Sequence, residues 1–457
     1  MDLGKSSITK LLWYYSIPSL IGTLANALYN IIDRIYIGQG VGAIAISGLA
    51  LTFPIMNLLG AFGMLVGHGA AARVSLLLGN NNTREANAIL PNTFILSLFF
   101  YLIVSSLCYI FLDPILYAFG GSAQTTPYAK EYLNIIIPGH IFTSLCYAYT
   151  NITRASGHPM RAMGTLLLGA ILNVLLDPIF IFTFNLGIKG AAYATVASMF
   201  ISCAWIMHYF FRKNNTLTFR IQDTHSSFLI PHSSFLIPHS SLSLKLMSSV
   251  LSIGLSSFLL HTATSLVNVL MNHTLQTYGG DLAIGAFGII TSFTSLVVMS
   301  IVGMAQGMQP IVGYNYGAKL YGRVKTTLKY CISIATAITT LGCIASLIFP
   351  NYIARLFTTD THLINITASG LSIYASTFFV VGFHIITTNY FQSIGRAGIS
   401  IFLSLSRQIL LLIPFILLFP PIWQLKGAWL AQPVSNLIST LIAIIILLIH
   451  LKKTLKK

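Results

Sequence analysis

Long apolar runs with almost no charge dominate this chain and restrict what it can fold into. They include residues 89–112, 165–184 and 427–451. A helix that crosses a bilayer needs about 20 mostly apolar residues, and we count about twelve such runs. Only 7% of the residues are charged, whereas soluble domains carry roughly 25%. The runs also lack the short alternating pattern of a membrane β-barrel. We therefore predict an all-α membrane protein with about twelve transmembrane helices.

The basic residues follow the predicted loops. The formal net charge is +16, and in our helix assignment 20 of the 25 Lys and Arg residues fall on one side of the membrane. The other five are Arg34, Lys130, Lys189, Arg355 and Lys426. By the positive-inside rule, this bias predicts that both termini are cytoplasmic. The positive charge therefore reports membrane topology, and we expect a lipid bilayer and small molecules as partners rather than nucleic acid.

The second half of the chain repeats the first. Four pairs of segments match in the same order at offsets of 238, 238, 236 and 237 residues: 67–79 with 305–317, 151–157 with 389–395, 175–178 with 411–414, and 189–191 with 426–428. Because each half holds an even number of spans, both repeats run in the same sense through the membrane. We predict an N-terminal six-helix lobe at 1–211, a cytoplasmic linker at 212–245 and a pseudo-symmetric C-terminal six-helix lobe at 246–457.

The predicted linker contains a tandem heptad, in which His-Ser-Ser-Phe-Leu-Ile-Pro occurs at 225–231 and again at 232–238. Three histidines spaced by seven residues suggest a metal-binding tract. However, proline breaks the helix that would align the rings. We interpret the tract as a local duplication within a linker.

Two of the nine acidic residues, Asp33 and Asp177, fall inside predicted spans. A carboxylate at the bilayer centre costs roughly 2.5–3.5 kcal/mol on insertion scales and normally marks an ion path. Asn173 precedes Asp177 by four residues and shares its helical face, while Pro178 frees a backbone carbonyl one turn back. Such a set of oxygen atoms suits a proton or Na⁺. Two carboxylates in one low-dielectric site cannot both carry charge easily, which suits an exchangeable proton.

Both acids also have structural interpretations. Asp33 could form an interfacial ion pair with Arg34, and Asp177 could cap a helix break at Pro178. The repeat counterpart of Asp177 is Ile413, although the proline recurs in the second half. Because the break does not require the charge, this asymmetry favours chemistry in the first half.

Polar side chains also occur in the spans of the second half. Gln306 and Gln309 fall in the middle of a span, and His261 and Asn268 share one helical face because they are seven residues apart. These four residues are candidates for lining a substrate cavity. A single intramembrane histidine can equally be a hydrogen-bonded packing residue.

Motifs for other chemistry are missing from the sequence. No GxxxxGK[ST] segment supports an ATP-driven pump, and no HExxH, GxSxG or clustered His/Cys set supports an intramembrane enzyme. The five cysteines lie in apolar segments without a CxxC pair, which argues against a zinc site. We predict that the protein is not an enzyme.

Three segments resemble motifs of the multidrug and toxic compound extrusion (MATE) family, in particular its MepA-like branch. Residues 30–38 (NIIDRIYIG) resemble the first-helix motif, 173–178 (NVLLDP) the fifth-helix motif, and 306–319 (QGMQPIVGYNYGAK) the eighth-helix signature. The resemblance covers nearly the whole chain apart from the heptad tract. It implies two six-helix lobes around a central cavity that alternates between outward-open and inward-open states.

The resemblance also implies antiport of drugs against H⁺ or Na⁺. Members of the family hold the coupling ion with a first-helix Asp, a fifth-helix Asn and Asp, and a sixth-helix Thr. Asp33, Asn173 and Asp177 match directly, and Thr195 fits the Thr position, so these four residues are the predicted H⁺ or Na⁺ site. No other cofactor is expected. Another branch carries a seventh-helix Glu that is missing around His261, so we expect no second ion site in that lobe.

Two rival functions belong to different classes. A lipid-linked oligosaccharide flippase of the same superfamily would need a cationic cavity for a pyrophosphate head, and Arg407 is the nearest mid-span cation. An intramembrane enzyme would need a nucleophile or a metal cluster that the sequence lacks. We therefore expect a monomeric secondary exporter of amphipathic, often cationic molecules in the bacterial inner membrane.

Overall fold

The computed structural model describes residues 2–41, 43–118, 124–212, 216–219, 242–357 and 360–454, and the tandem heptad lies outside them. The described residues form helices and contain no strand. The helices are α1 (Ile8–Gly40), α2 (Ala43–Gly79), α3 (Thr83–Ile110), α4 (Leu112–Ala118), α5 (Thr126–Ala155), α6 (Pro159–Pro178), α7 (Ile188–Phe211), α8 (Leu244–Gly317), α9 (Tyr321–Ile348), α10 (Pro350–Arg355), α11 (Thr361–Tyr374), α12 (Val381–Ser393), α13 (Ala397–Leu405), α14 (Ile413–Leu418) and α15 (Pro420–Thr454). A π-helical segment, Ile179–Thr183, follows α6, and a second, Ser406–Leu412, joins α13 to α14.

The described helices supply the predicted number of membrane spans. Nine segments are long and apolar enough by themselves, and two of them lie in α8, which is broken at Gly280 with φ of 66°. α11 and α12 make a tenth span that is bent by 48°. α1 and α5, with 33 and 30 residues, are also long enough to cross a bilayer, which brings the number to twelve. The predicted fold class is confirmed.

Backbone conformation repeats along with the sequence. Asn81 and Lys319 both adopt left-handed conformations, with φ of 57° and 59°, although neither is glycine. Gly157 and Gly395 form a second pair, at 103° and 75°, and Gly187 and Gln424 a third, at 56° and 51°. Residues other than glycine rarely adopt positive φ. Three such pairs at offsets of 238, 238 and 237 residues therefore confirm the duplication.

The chain forms two compact units that differ from the predicted lobes in two short segments. One unit contains residues 1–24 together with 256–457, and the other contains residues 25–255. The first half of α1 thus belongs with the second repeat, and the beginning of α8 belongs with the first.

Glycines explain why each of these segments packs where it does. In the unit of residues 25–255, Gly69 of α2 lies against the backbone of Val250, and Gly254 lies against the backbone of Leu65. Neither glycine could carry a Cβ atom without meeting a carbonyl oxygen. Small residues let two membrane helices approach to backbone contact, so this pair fixes the crossing of α2 and α8.

The other unit repeats this crossing with α1. A Cβ on Gly307 would lie 2.7 Å from Ser16 Cα, and one on Gly303 would lie 2.9 Å from Leu20 Cα. Ser16 and Gly307 are the repeat counterparts of Gly254 and Gly69. At the end of this crossing, Arg323 donates hydrogen bonds to the carbonyl oxygens of Leu3 and Ser6 over 3.0 and 2.6 Å.

Candidate functional site

Asn173 and Asp177 lie on one face of α6, which ends at Pro178. The chain continues as the π-helical segment, in which a backbone hydrogen bond of 2.9 Å joins residues five apart. Proline has no N–H to donate, and its ring crowds the carbonyl group four residues back. The regular helical pattern is therefore interrupted directly beside Asp177. π-Helical turns within helices occur frequently at functional sites.

The Asn173 amide connects α6 with α7. Its Nδ2 atom donates to Asp177 Oδ1 over 3.3 Å and to Thr195 Oγ1 over 3.2 Å. Gly190 allows this approach, because a Cβ there would lie only 2.7 Å from the Phe180 carbonyl oxygen. The structure thus brings together three of the four residues predicted for the ion site.

Asp33 of α1 completes the predicted set. Its side chain is 7% exposed, while those of Asn173 and Asp177 are fully buried. The carboxylates of Asp33 and Asp177 interact electrostatically. Two acids from different spans therefore share one water-poor environment, where it is costly for both to be charged.

Tyr132 of α5 is a fifth member of the site that the sequence analysis missed. It is 4% exposed, its hydroxyl group lies close to the Thr195 side chain, and it interacts electrostatically with both Asp33 and Asp177. Its repeat counterpart is Gly370. A position-by-position comparison of the halves gives the missing signal, because Asp33, Tyr132 and Asp177 correspond to Met271, Gly370 and Ile413 in the second half.

Two buried oxygen atoms of this site have no hydrogen-bond donor among the described residues. They are Asn173 Oδ1 and Asp177 Oδ2. A buried acceptor without a partner is costly, and a bound cation or an added proton would satisfy both atoms. Carboxylate and amide oxygens are hard ligands that suit a proton or Na⁺ better than a transition metal. Within the described residues, no group of three His, Cys, Asp or Glu side chains could hold a metal ion.

The predicted cavity residues lie in different environments. His261 and Asn268 are exposed on the same face of α8, and Asn272 extends that face by one turn. Gln306 is half-buried, and Gln309 is 7% exposed within the packed helices. Polar side chains along a spanning helix normally face a water-filled space rather than lipid. The α8 face is therefore the part of the predicted set that could contact a solute.

Buried carboxylates at membrane depth and a polar face on a spanning helix characterise a membrane transporter. The MatE family model matches this chain twice, at residues 18–179 and 253–418. The chain therefore belongs to the MatE family, whose members are transporters and not enzymes. The two matches fall on the two repeats. This agrees with the resemblance drawn from the sequence and with the prediction that the protein is not an enzyme.

Individual relatives cover almost the whole chain. The multidrug export protein MepA of Staphylococcus haemolyticus (strain JCSC1435) is 27% identical over 445 residues, which are 97% of this chain and 94% of that protein. A crystal structure of MATE in the bent conformation has a TM-score of 0.90 at 24% identity, covering 99% of this chain and 98% of that one. An outward-facing multidrug resistance MATE family transporter of the MOP superfamily has a TM-score of 0.88 at 25% identity, covering 97% and 96%. This likeness extends to both repeats.

Proposed function

We propose that this transporter exports amphipathic, often cationic small molecules in exchange for H⁺ or Na⁺. The observation that carries the proposal is the buried pair of Asp33 and Asp177, with the Asp177 Oδ2 atom lacking a donor. The relatives are named multidrug export proteins, which supports the class of substrate.

The chemistry of the pair supports ion exchange. With both carboxylates charged, the site attracts a cation, and a proton or Na⁺ bound there removes the repulsion. Asn173 and Thr195 would orient Asp177, since the Asn173 amide contacts both side chains. An ion drives transport only if its affinity differs between two conformations, so we propose alternating access in which only one state holds these groups together.

The topology and location belong to the same proposal. The distribution of basic residues supports cytoplasmic termini, and the relatives are bacterial proteins, which supports a bacterial inner membrane. The alternative, a lipid-linked oligosaccharide flippase, would need several cations for a pyrophosphate head. Among the described residues, Arg407 is the cation nearest mid-span in its helix, which favours the exporter.

Transport by purified protein in liposomes tests the proposal. Wild type, Asp33→Asn and Asp177→Asn would be compared under an imposed pH gradient and, separately, an imposed Na⁺ gradient. We expect gradient-driven uptake of a cationic dye by wild type and none by either variant. Asp113→Asn is the matched control, because Asp113 is half-exposed and paired with Lys130 over 2.6 Å, away from the site. Wild-type rates in both site variants would refute the ion-site assignment.

A further inference from the structure

Arg407 lies in the middle of a membrane span. The span runs from Ala397 to Leu418, so Arg407 is about 15 Å from either end at 1.5 Å per residue. Lysine and arginine near the ends of spanning helices extend their charge to the interface. From mid-span that distance is greater than one side chain can reach. The guanidinium group therefore needs a partner at membrane depth.

Among the described side chains of the compact unit that contains Arg407, no acid forms an ion pair with it. Its acidic residues are Asp2, Asp281 and Asp360. Asp360 caps the first turn of α11. Tyr374, which interacts electrostatically with Arg407, lies at the other end of α11, about 20 Å from that first turn. Asp281 lies in the chain near that same end of α11, because Gly285, four residues later, packs against Leu363 in the first turn.

Neutral polar groups of α11, α12 and α15 lie near Arg407 instead. The Tyr374 hydroxyl donates to Gln432 Oε1 over 3.4 Å, and Gln432 donates to Asn436 Oδ1 over 3.1 Å. Ser435 donates its hydroxyl to the Arg407 carbonyl oxygen over 2.7 Å, so α15 touches Arg407 beside Asn436. The fully buried ring of His384 also interacts electrostatically with Arg407.

Two donors in this cluster are left without acceptors. Arg407 Nε has no hydrogen-bond partner among the described residues. The Nδ2 atom of Asn436, a residue that is 1% exposed, also lacks an acceptor. Arg407 lies in the π-helical segment Ser406–Leu412. A negatively charged acceptor would satisfy these unpaired donors and balance the positive charge of Arg407.

We propose that Arg407 and Asn436 bind a monovalent anionic oxygen or halide group, and that this group is the carboxylate of a zwitterionic substrate. A guanidinium group matches a carboxylate through two parallel N–H donors. The substrate class rests on the proposed export function, whereas the anion site does not. A single cation fits one carboxylate or one chloride, and it is too little charge for a pyrophosphate.

A pair of dyes that differ by one charge tests this proposal. Rhodamine B carries a free carboxylate, and its ethyl ester does not. Binding of each dye to purified protein in detergent would be measured by fluorescence anisotropy for wild type, Arg407→Gln, Arg407→Lys and Arg396→Gln. Arg396 is the control, because it is an exposed arginine at the start of the same span. A parallel arm would compare the thermal unfolding of wild type and Arg407→Gln with and without sodium chloride.

We expect Arg407→Gln to weaken binding of rhodamine B at least tenfold, or about 1.4 kcal/mol, while the ester binds as before. Arg407→Lys should lie in between, since it keeps the charge and loses the paired donors. An Arg407-dependent stabilisation by chloride, without a preference for the acid dye, would assign the site to an inorganic anion and overturn the substrate carboxylate. Equal losses for both dyes, or none for either together with no chloride effect, would overturn the site itself.

The binding assay needs no ion gradient, so its result stays separate from that of the export assay. If Arg407→Gln does not fold, Arg407→Lys against wild type carries the same comparison of acid and ester.

Discussion

Gly254 allows a quantitative test of the packing of α8 against α2. The substitution Gly254→Ala puts a methyl group into the carbonyl oxygen of Leu65, and a backbone atom cannot move aside as a flexible side chain can. Overpacking of this kind costs typically 1–3 kcal/mol, whereas alanine gains about 1 kcal/mol over glycine in a helix. With the backbone obstruction at the upper end of that range, we expect a net loss of about 2 kcal/mol.

Gly164→Ala is the matched control. Gly164 also lies inside a helix, α6, but a Cβ there would meet nothing within 4 Å. This variant should therefore show only the gain in helix propensity, up to about 1 kcal/mol. The two alanine variants should change stability in opposite directions.

Thermal unfolding of the purified protein, followed by circular dichroism in detergent, measures the difference. At roughly 2–4 °C per kcal/mol, we expect Gly254→Ala to unfold about 4–8 °C below wild type and Gly164→Ala slightly above it. Gly307→Ala should behave like Gly254→Ala, because its Cβ would lie 2.6 Å from Ser16 Oγ. If Gly254→Ala unfolds at or above the temperature of Gly164→Ala, the backbone contact does not hold α8 in place.

Two further substitutions test the site and the first segment of α1. Tyr132→Phe removes the hydroxyl group that lies close to Thr195, and we expect a severalfold higher H⁺ or Na⁺ concentration for half-maximal transport. Tyr101→Phe, which removes a hydroxyl group that donates to the Pro138 carbonyl in α5, should leave that concentration unchanged. Arg323→Gln removes the hydrogen-bond donors to the carbonyl oxygens of Leu3 and Ser6, so the amide hydrogens of residues around Leu3 and Ser6 should exchange faster. Unchanged exchange would show that Arg323 does not hold this segment in place.

The duplication and the shared face of Asn173 and Asp177 could be predicted from the sequence because both depend on local rules. Asn173 and Asp177 share a face at any place where a helix forms, and Pro178 interrupts that helix wherever it occurs. The paired positive φ values fall in or next to segments whose residues already matched between the halves. Short-range geometry was therefore predictable from residue type and spacing alone.

Long-range packing was not predictable in this way. Glycine at 69 or 254 looks like any glycine of a membrane helix until the backbone that it contacts is known. The sequence therefore did not predict that residues 1–24 pack with the second repeat. Likewise, seven-residue spacing correctly put His261 and Asn268 on one face. It could not tell that this face is exposed while Gln309 is buried.

The division of α1 and α8 between the two units bears on how the fused chain arose. Suppose that each repeat was once a separate polypeptide. With the same crossings, the beginning of the first helix of each copy would have packed against the other copy, which is domain swapping in a symmetric dimer. Fusion would then have joined two chains that were already interlocked. Neither half expressed alone would contain both sides of a glycine crossing, so each would expose backbone that its former partner had covered.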